Sequence, residues 1–293
     1  MPELPEVETL KRQLAKGINS QKILEIEVLR EKSFRGEKGK AVNKKITEVG
    51  RRAKLLWLKL SPQAQSKADI YLLVHLKMTG QLVYCQKKGN SQRLAGGHPT
   101  ADWVNKLPSK HTRVILFLEK GRLYFNDQRA FGWIKVLDEE EFKKEINKFG
   151  PDVTSKEFDK KYLKKILEAS TRTVKLLLLD QSKVAGLGNI YVNDGLFWAK
   201  IHPEMRSNKA ALDSQRVNRL FIGLKRIVGK GIKYQGASEA NYVHLNGLGG
   251  SYQDHFLVYK KTGQKCSECG SIIKRIKLGG RGTYYCPNCQ KKV

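Results

Sequence analysis

No uninterrupted apolar run in this chain reaches membrane-spanning length; the longest apolar stretches, such as Leu176 to Leu179, are short core segments. The first residues lack the basic-then-apolar pattern of a secretory signal. A reducing, cytoplasmic compartment is therefore expected, and the five cysteines are not expected to form a disulfide framework. Internal repeats and low-complexity tracts are absent as well, which argues against a solenoid. Acidic residues are scarce: 28 Asp and Glu face 56 Lys and Arg, a formal charge of +28. An excess that large favours a polyanion, and nucleic acid is the commonest one. A ribosomal or membrane-surface protein would share the balance, so charge by itself names no function.

What is present is organised in two halves. A chain of 293 residues is long enough for two domains with real cores. Alternating or short apolar runs over Ile23–Leu29, Lys45–Leu60, Ile70–Leu76, Gln81–Cys85, Val114–Leu118, Arg122–Asn126 and Trp133–Leu137 predict strands. Strands in succession without intervening helices predict a β-sandwich or barrel rather than a parallel sheet. The polar stretch from Lys87 to Lys110 has no period and reads as a long loop. Near Asp138 the pattern changes. Glu139–Phe149, Lys156–Ala169, Val174–Leu179, Ile190–Ala199 and Ser214–Val228 read as helices. A domain boundary is placed around Glu140 to Ser155.

The amino terminus reads MPELPEVETL. Removal of Met1, usual before a small residue such as proline, leaves Pro2 as a secondary amine. An α-amino group titrates roughly two to three units below a lysine, so part of it is neutral and nucleophilic near pH 7. Pro5 suits the first turn of a helix, and Val7, Leu10 and Leu14 recur at helical spacing. Pro2 and Glu3 would then sit on a short tether fixed to a packed helix. Further on, three cations in Arg51-Arg52-Ala53-Lys54 suggest a phosphate clamp. The turn-like stretches His75 to Gly80 and Asn126 to Gly132 present Met78, Arg129 and Phe131. Lys110-His111-Thr112-Arg113 opens a strand. The segment Arg172 to Tyr191 ends one helix, turns at Gly186 and Gly188, and begins another near Asn189, a geometry whose backbone amides suit a phosphate. Cys266-x2-Cys269, sixteen residues, Cys286-x2-Cys289 is a tetrahedral zinc pattern, and four thiolates leave no open position for catalysis. Cys85 stands apart and reads as a core residue.

The terminal string, the double turn around Gly186-Leu187-Gly188-Asn189 and the hairpin Arg281-Gly282-Thr283-Tyr284-Tyr285-Cys286 resemble the bacterial formamidopyrimidine-DNA glycosylase family in its own order. The resemblance runs from residue 2 to residue 290. It implies an α+β protein: an N-terminal β-sandwich with flanking helices over 1–139, a linker over 140–155, a helix–two-turn–helix domain over 156–260 and a zinc finger over 261–293. It implies a bifunctional glycosylase and abasic-site lyase acting on oxidised purines in double-stranded DNA. Pro2 would be the nucleophile and Glu3 the proton donor; Lys54 and Arg281 would grip phosphates and assist elimination. Met78, Arg129 and Phe131 would fill the void left by the extruded base. His111, Arg172 and Asn189, with Arg129, would contact DNA. One structural Zn2+ would be held by Cys266, Cys269, Cys286 and Cys289. Asp180 would have a structural, capping role, and the segment around His244 to Gly249 would close over the flipped purine. The protein would act as a nucleoid-associated monomer. The sequence departs from the family at Gln128 and Ala130, where proline and a basic residue are usual, at a cost in loop rigidity. Two alternatives stay open: the related endonuclease VIII branch, which prefers oxidised pyrimidines, and a DNA-binding protein without catalysis.

Overall fold

The computed structural model describes residues 1–62, 68–87, 106–237 and 250–292, with the backbone alone at 93–97. The chain packs as two compact units, Met1–Asn147 with Gln235–Ser251, and Lys148–Tyr234 with Tyr252–Val293. Each is built separately below.

The first unit starts with helix α1 (Leu4–Ile18), which Glu3 caps with extended backbone. Ten strands follow: β1 (Ile23–Val28), β2 (Phe34–Arg35), β3 (Ile46–Arg52), β4 (Leu55–Leu60), β5 (Ile70–His75), β6 (Gly80–Gln86), β7 (Arg93–Gly97), β8 (Thr112–Leu118), β9 (Gly121–Asp127) and β10 (Trp133–Asp138). They form two five-stranded sheets, ordered β1-β8-β9-β6-β7 and β2-β10-β5-β4-β3. Alternate residues of both sheets share one core: Leu56, Leu58, Leu72 and Val74 from one meet Leu82, Val114, Leu116 and Phe125 from the other. Val7, Leu10, Leu14 and Ile18 of α1 enter the same core, so the helix is held by apolar burial along its whole length. This is the sandwich that the strand pattern predicts.

One sequence expectation is corrected here. The stretch from Lys87 to Lys110 is not loop throughout, because β7 pairs with β6 from Gln81 opposite Gly97 to Cys85 opposite Arg93. Backbone pairing at a sheet edge requires no apolar alternation, which is why Arg93-Leu94-Ala95-Gly96-Gly97 carried no strand signal. The remainder of that stretch that is not described, residues 88–92 and 98–105, lies outside the described residues, as does the segment from His244 to Gly249.

Helix α2 (Glu139–Ile146) closes the unit; Asp138 caps it by accepting from the Glu141 amide at 2.8 Å. Its Phe142 stacks on Tyr71 with ring centroids 3.9 Å apart. The second unit contains α3 (Lys160–Glu168), α4 (Val174–Leu178), α5 (Asn189–Trp198), α6 (Ser207–Ala211) and α7 (Ser214–Lys233), then the hairpin β11 (Lys274–Leu278) and β12 (Arg281–Tyr285). Helix α3 begins at Lys160, later than the apolar pattern suggested, because Asp159 caps it through the Tyr162 amide at 2.6 Å. Asp194 anchors the approach to the hairpin. Fully buried on α5, it accepts from the amides of Leu257, Val258 and Tyr259 at 3.0–3.1 Å and from the Tyr252 hydroxyl at 3.2 Å.

Candidate active site and nucleic-acid interface

In the first unit, exposed Met1 leads into buried Pro2 and Glu3 at the start of α1. Glu6, one turn on, holds the turn. Its Oε2 accepts from the Glu3 amide at 2.8 Å, and its Oε1 accepts from the Ala237 amide at 2.8 Å. The second bond explains why 235–251 packs with this unit although the sequence grouped it with the helical part.

Glu8, on the same helix, accepts from Arg51 Nε of β3 at 2.9 Å, from Arg12 Nε at 2.8 Å and from Lys11 Nζ at 3.4 Å. Burial pushes the Glu8 carboxyl up, but the hydrogen bonds from Arg51 and Arg12 and the Lys11 charge outweigh it and hold the group below the usual carboxylate range. Arg51 also donates through Nη1 to the Ala53 carbonyl at 3.0 Å. Ala53 and Lys54 form the two-residue turn joining β3 to β4, with Arg52 opposite Leu55 and Ala53 in the left-handed region at φ 55°. The Arg51–Glu8 ion pair, with the Arg51 bond to Ala53, therefore links the Pro2–Glu3 helix to the turn that carries Lys54. Lys54 is itself buried, and the register of β4 on β5 sets it near His75. Burial first, then the charges of Lys77 and Lys54, pushes the His75 imidazole down to about 3. His75 is accordingly neutral, and its Nδ1 accepts from the Lys77 amide at 3.0 Å.

Met78, Arg129 and Phe131 come together on two neighbouring turns at one end of the sandwich. Met78 is 43% exposed and Phe131 is 56% exposed, so both side chains stand outside the sandwich core. The Arg129 guanidinium lies 4.9 Å over the Phe131 ring. His111 sits on the third turn of this end, where its carbonyl accepts from the Asp127 amide at 2.9 Å.

In the second unit, α4, a double turn and α5 form the motif the sequence indicated. Asp180 accepts from the Ser182 amide and hydroxyl at 3.0 and 2.7 Å and from Arg172 Nη1 at 2.8 Å. Burial raises its carboxyl, yet the Ser182 and Arg172 bonds prevail and hold it below the usual range. It closes the turn, the structural role expected of it. Arg172 is half exposed and preset by this pair. Gln181 spans the double turn, donating to the Leu179 and Leu187 carbonyls at 3.1 and 2.8 Å and accepting from the Gly186 amide at 3.0 Å. Asn189 opens α5, and its Nδ2 donates to the Gly282 carbonyl at 3.0 Å. Buried Lys175 donates to the same carbonyl at 3.2 Å and to Thr283 Oγ1 at 2.7 Å. Asn193 Oδ1 accepts from the Tyr284 amide at 2.9 Å. The hairpin tip turns through Gly279 and Gly280 at φ 56° and 75°, the two left-handed residues of a tight primed turn. A Cβ on Gly279 would stand 2.4 Å from Leu176 Cδ2. Arg281 follows this turn, exposed, on a strand fixed to the helices one residue later.

The four cysteine sulfurs lie within 4.8 Å of one another, with Cys266–Cys289 at 3.9 Å and Cys269–Cys286 at 3.5 Å. A tetrahedral zinc with bonds of about 2.3 Å separates its sulfurs by about 3.8 Å. The donor set and its spacing fit zinc. Gln290, fully buried, accepts from the Cys286 amide at 3.0 Å and donates to the Ile201 carbonyl at 2.7 Å, pinning the second knuckle to the helical unit.

Sequence reading gave no role to Glu8, Thr79, Asp127 and Lys175, took Glu6 only as a second carboxylate beside the amine, and placed Arg51 in a phosphate clamp, whereas the structure buries Arg51 against Glu8. A signal existed for Lys175, a lone cation in Val174-Lys175-Leu176-Leu177-Leu178-Leu179, and for Glu6, three residues after the capping Glu3. Nothing in the sequence pairs Glu8 with Arg51.

A β-sandwich with a buried Pro-Glu helix start, followed by a double-turn helical unit braced to a four-cysteine hairpin, defines a class of two-unit proteins with a zinc-finger hairpin. Three family models match: the formamidopyrimidine-DNA glycosylase N-terminal domain over residues 1–134, the formamidopyrimidine-DNA glycosylase H2TH domain over 149–242, and the zinc finger found in FPG and IleRS over 263–292. The formamidopyrimidine-DNA glycosylase of Pelotomaculum thermopropionicum is 38% identical, with 99% of each chain covered. That of Lactococcus lactis subsp. cremoris is 38% identical over the whole of both. A crystal structure of a Lactococcus lactis FPG variant with Fapy-dG-containing DNA superposes with a TM-score of 0.85 at 35% identity, covering 99% of this chain and 100% of that one. The Lactococcus lactis enzyme with abasic-site DNA gives 0.84 at 34% identity, over 99% and 100%. The chain belongs to the formamidopyrimidine-DNA glycosylase family.

Proposed function

We propose that the protein is a bifunctional DNA glycosylase and abasic-site lyase of base excision repair that acts on oxidised purines in duplex DNA, including 8-oxoguanine and formamidopyrimidines. The observation that carries this is the buried Pro2–Glu3 helix start, tied through Glu8 and Arg51 to the Lys54 turn. Such a tie preorganises an amine, a carboxyl and a cation on rigid elements.

After loss of Met1, the Pro2 lone pair attacks C1′ of the damaged nucleotide. The glycosidic bond breaks and its electrons leave with the base, which takes up a proton. Glu3 supplies the proton that opens the sugar at O4′, leaving a positively charged iminium between Pro2 and C1′. The iminium acidifies C2′–H; loss of that proton expels the 3′ phosphate, and a second elimination expels the 5′ phosphate. Lys54 and Arg281 steady these phosphates as charge develops on them. Met78 and Phe131 fill the stack vacated by the extruded nucleotide, and Arg129 donates to the partner base. His111, Arg172 and Asn189 hold backbone phosphates irrespective of sequence. Zinc, when bound, holds the two knuckles together so that β11 and β12 present Arg281; it takes no part in bond breaking. One chain suffices for all these roles, and among the described residues no helix is long and apolar enough to cross a membrane. A protein with this role would be nucleoid-associated, because its substrate is genomic DNA.

A second reading has one observation in its favour: the Lactococcus lactis relative has also been crystallised with oxidised-pyrimidine-containing DNA. A lesion panel separates the two. The deciding experiment is borohydride trapping on a duplex with a single 8-oxoguanine opposite cytosine, with mass mapping of the adduct. A covalent product at Pro2 is expected, and Pro2→Gly should lose it while keeping lesion binding. An adduct only on oxidised pyrimidine would move the protein to the sister branch. No adduct on any lesion, from protein with a Pro2 terminus, would leave a DNA-binding protein.

A further inference from the structure

The three turns that carry Met78, His111, and Arg129 with Phe131 converge on one buried residue. Asp127 is fully buried at the end of β9. Its Oδ1 accepts from the Thr79 hydroxyl, in the turn of Met78. Its Oδ2 accepts from the Gly132 amide at 2.6 Å, just past Phe131. Its backbone carbonyl accepts from Arg113 Nε at 2.8 Å and its amide donates to the His111 carbonyl at 2.9 Å. Thr79 completes the latch: the same oxygen that donates to Asp127 accepts from the Arg129 amide at 3.0 Å. Gly132 is required for the close approach, since a Cβ there would stand 3.0 Å from Asp127 Oδ2 and 2.8 Å from Phe125.

We infer that Thr79 and Asp127 are positioning residues that fix Arg129 and Phe131 relative to Met78 and thereby set how sharply the enzyme discriminates the base opposite the lesion. The inference rests on the function proposed above. The physical case is that Met78 and Phe131 are exposed and the Arg129 guanidinium lies over the exposed Phe131 ring, so neither turn is held by apolar packing of its own tip. Ala130 adds to the need, because it sits at φ 53°, a left-handed conformation that an L-residue disfavours. Without the latch that residue relaxes and carries Arg129 and Phe131 with it. A wedge and a donor that must act together on one base gap discriminate only while their spacing is fixed.

The test compares Thr79→Val, which keeps the shape and removes the hydroxyl, with Thr79→Ser, which keeps the hydroxyl. Asp127→Asn serves as a second lesion of the same latch. Single-turnover excision of 8-oxoguanine opposite cytosine and opposite adenine gives the discrimination ratio; cleavage of a preformed abasic site gives the lyase activity. Thr79→Val should reduce the ratio about three- to tenfold, the scale of one or two displaced hydrogen bonds. It should leave abasic-site cleavage at the parental rate, and Thr79→Ser should restore the ratio. A parental ratio in Thr79→Val, or an equal loss in Thr79→Ser, overturns the inference even if the melting temperature falls. Absence of excision by the unsubstituted protein would instead refute the function itself.

Discussion

Replacing Arg51 by methionine tests the tie between the amino-terminal helix and the Lys54 turn. The Glu8 and Arg51 side chains are 11% and 7% exposed, so the pair is largely removed from water. Methionine retains the aliphatic stem of Arg51 but leaves the Glu8 carboxylate buried with Arg12 and Lys11 only, and these are 60% and 31% exposed. Breaking a buried pair from one side costs about 3–5 kcal/mol, and the two residual cations put this case near 3 kcal/mol. For a unit of this size that corresponds to a fall of about 6–12 °C in melting temperature. Differential scanning calorimetry of the full chain at pH 7 measures it on the transition of the first unit. Adding Glu8→Gln should recover part of the loss, because it removes the stranded charge.

The pH dependence sharpens the test. In the parent, the Glu8 carboxyl is held below its ordinary 4.5, so its contribution is complete above about that pH and is lost as pH falls through the lower folded value. Without Arg51 the largest of the lowering contributions is lost, so the folded carboxyl moves up from its parental position. The penalty of the substitution is then greatest at neutral pH and shrinks on acidification, when Glu8 becomes neutral. Arg51→Met should therefore differ most from the parent at pH 7 and least near pH 4. A destabilisation below about 1 kcal/mol at pH 7, the range of exposed ion pairs, would refute the reasoning. So would a difference that grows as pH falls.

Two further outcomes are expected. His75 is held neutral with its imidazole at about 3, so the unfolded chain binds a proton that the folded chain refuses; stability falls by about 1.4 kcal/mol per unit as pH drops from about 6.5. His75→Gln, which keeps an acceptor for the Lys77 amide, should flatten the denaturation free energy between pH 6.5 and 5, and an unchanged slope would show that another group titrates there. Zinc chelation should weaken binding to abasic-site DNA at least about tenfold, because four thiolates without a cation cannot hold the knuckles. Abasic-site affinity that survives full metal removal, verified by metal analysis, would show that Lys175, Asn189 and Asn193 alone hold the hairpin.

Much of this arrangement was legible in the chain. Ile70–Leu76 was legible as a short continuous apolar run, buried on both faces of its strand, and the end of Lys45–Leu60 as an alternating one, because burial is what writes an apolar pattern into sequence. The cysteine spacing gave the metal site because four ligands on two knuckles tolerate few other spacings. Strand β7 was not legible, since its hydrogen bonds are backbone bonds made at an edge, independent of side-chain polarity. Nor was the approach of Ala237 to the first unit, where its amide donates to Glu6 across 231 positions of sequence.

The residues whose bracing role escaped sequence reading share a physical property. Glu8, Arg51, Asp127, Thr79 and Lys175 are polar side chains whose partners lie at distant positions, and polarity in a local window reads as exposure. Yet each binds a turn that bears a proposed functional group: Glu8 and Arg51 the Lys54 turn, Thr79 and Asp127 the Met78 and Arg129 turns, Lys175 the strand beside Arg281. The reason lies in what such turns require. A side chain that must enter DNA cannot also be packed in a core, so apolar burial is unavailable to fix it. Directional bonds from buried polar groups at its base are the remaining means, and they succeed only when every partner is satisfied. Losing one of these partners should therefore displace a functional group before it unfolds a sheet, and activity should respond more steeply than stability to Thr79→Val. For Arg51→Met both should fall, because Glu8 then stays buried with its charge.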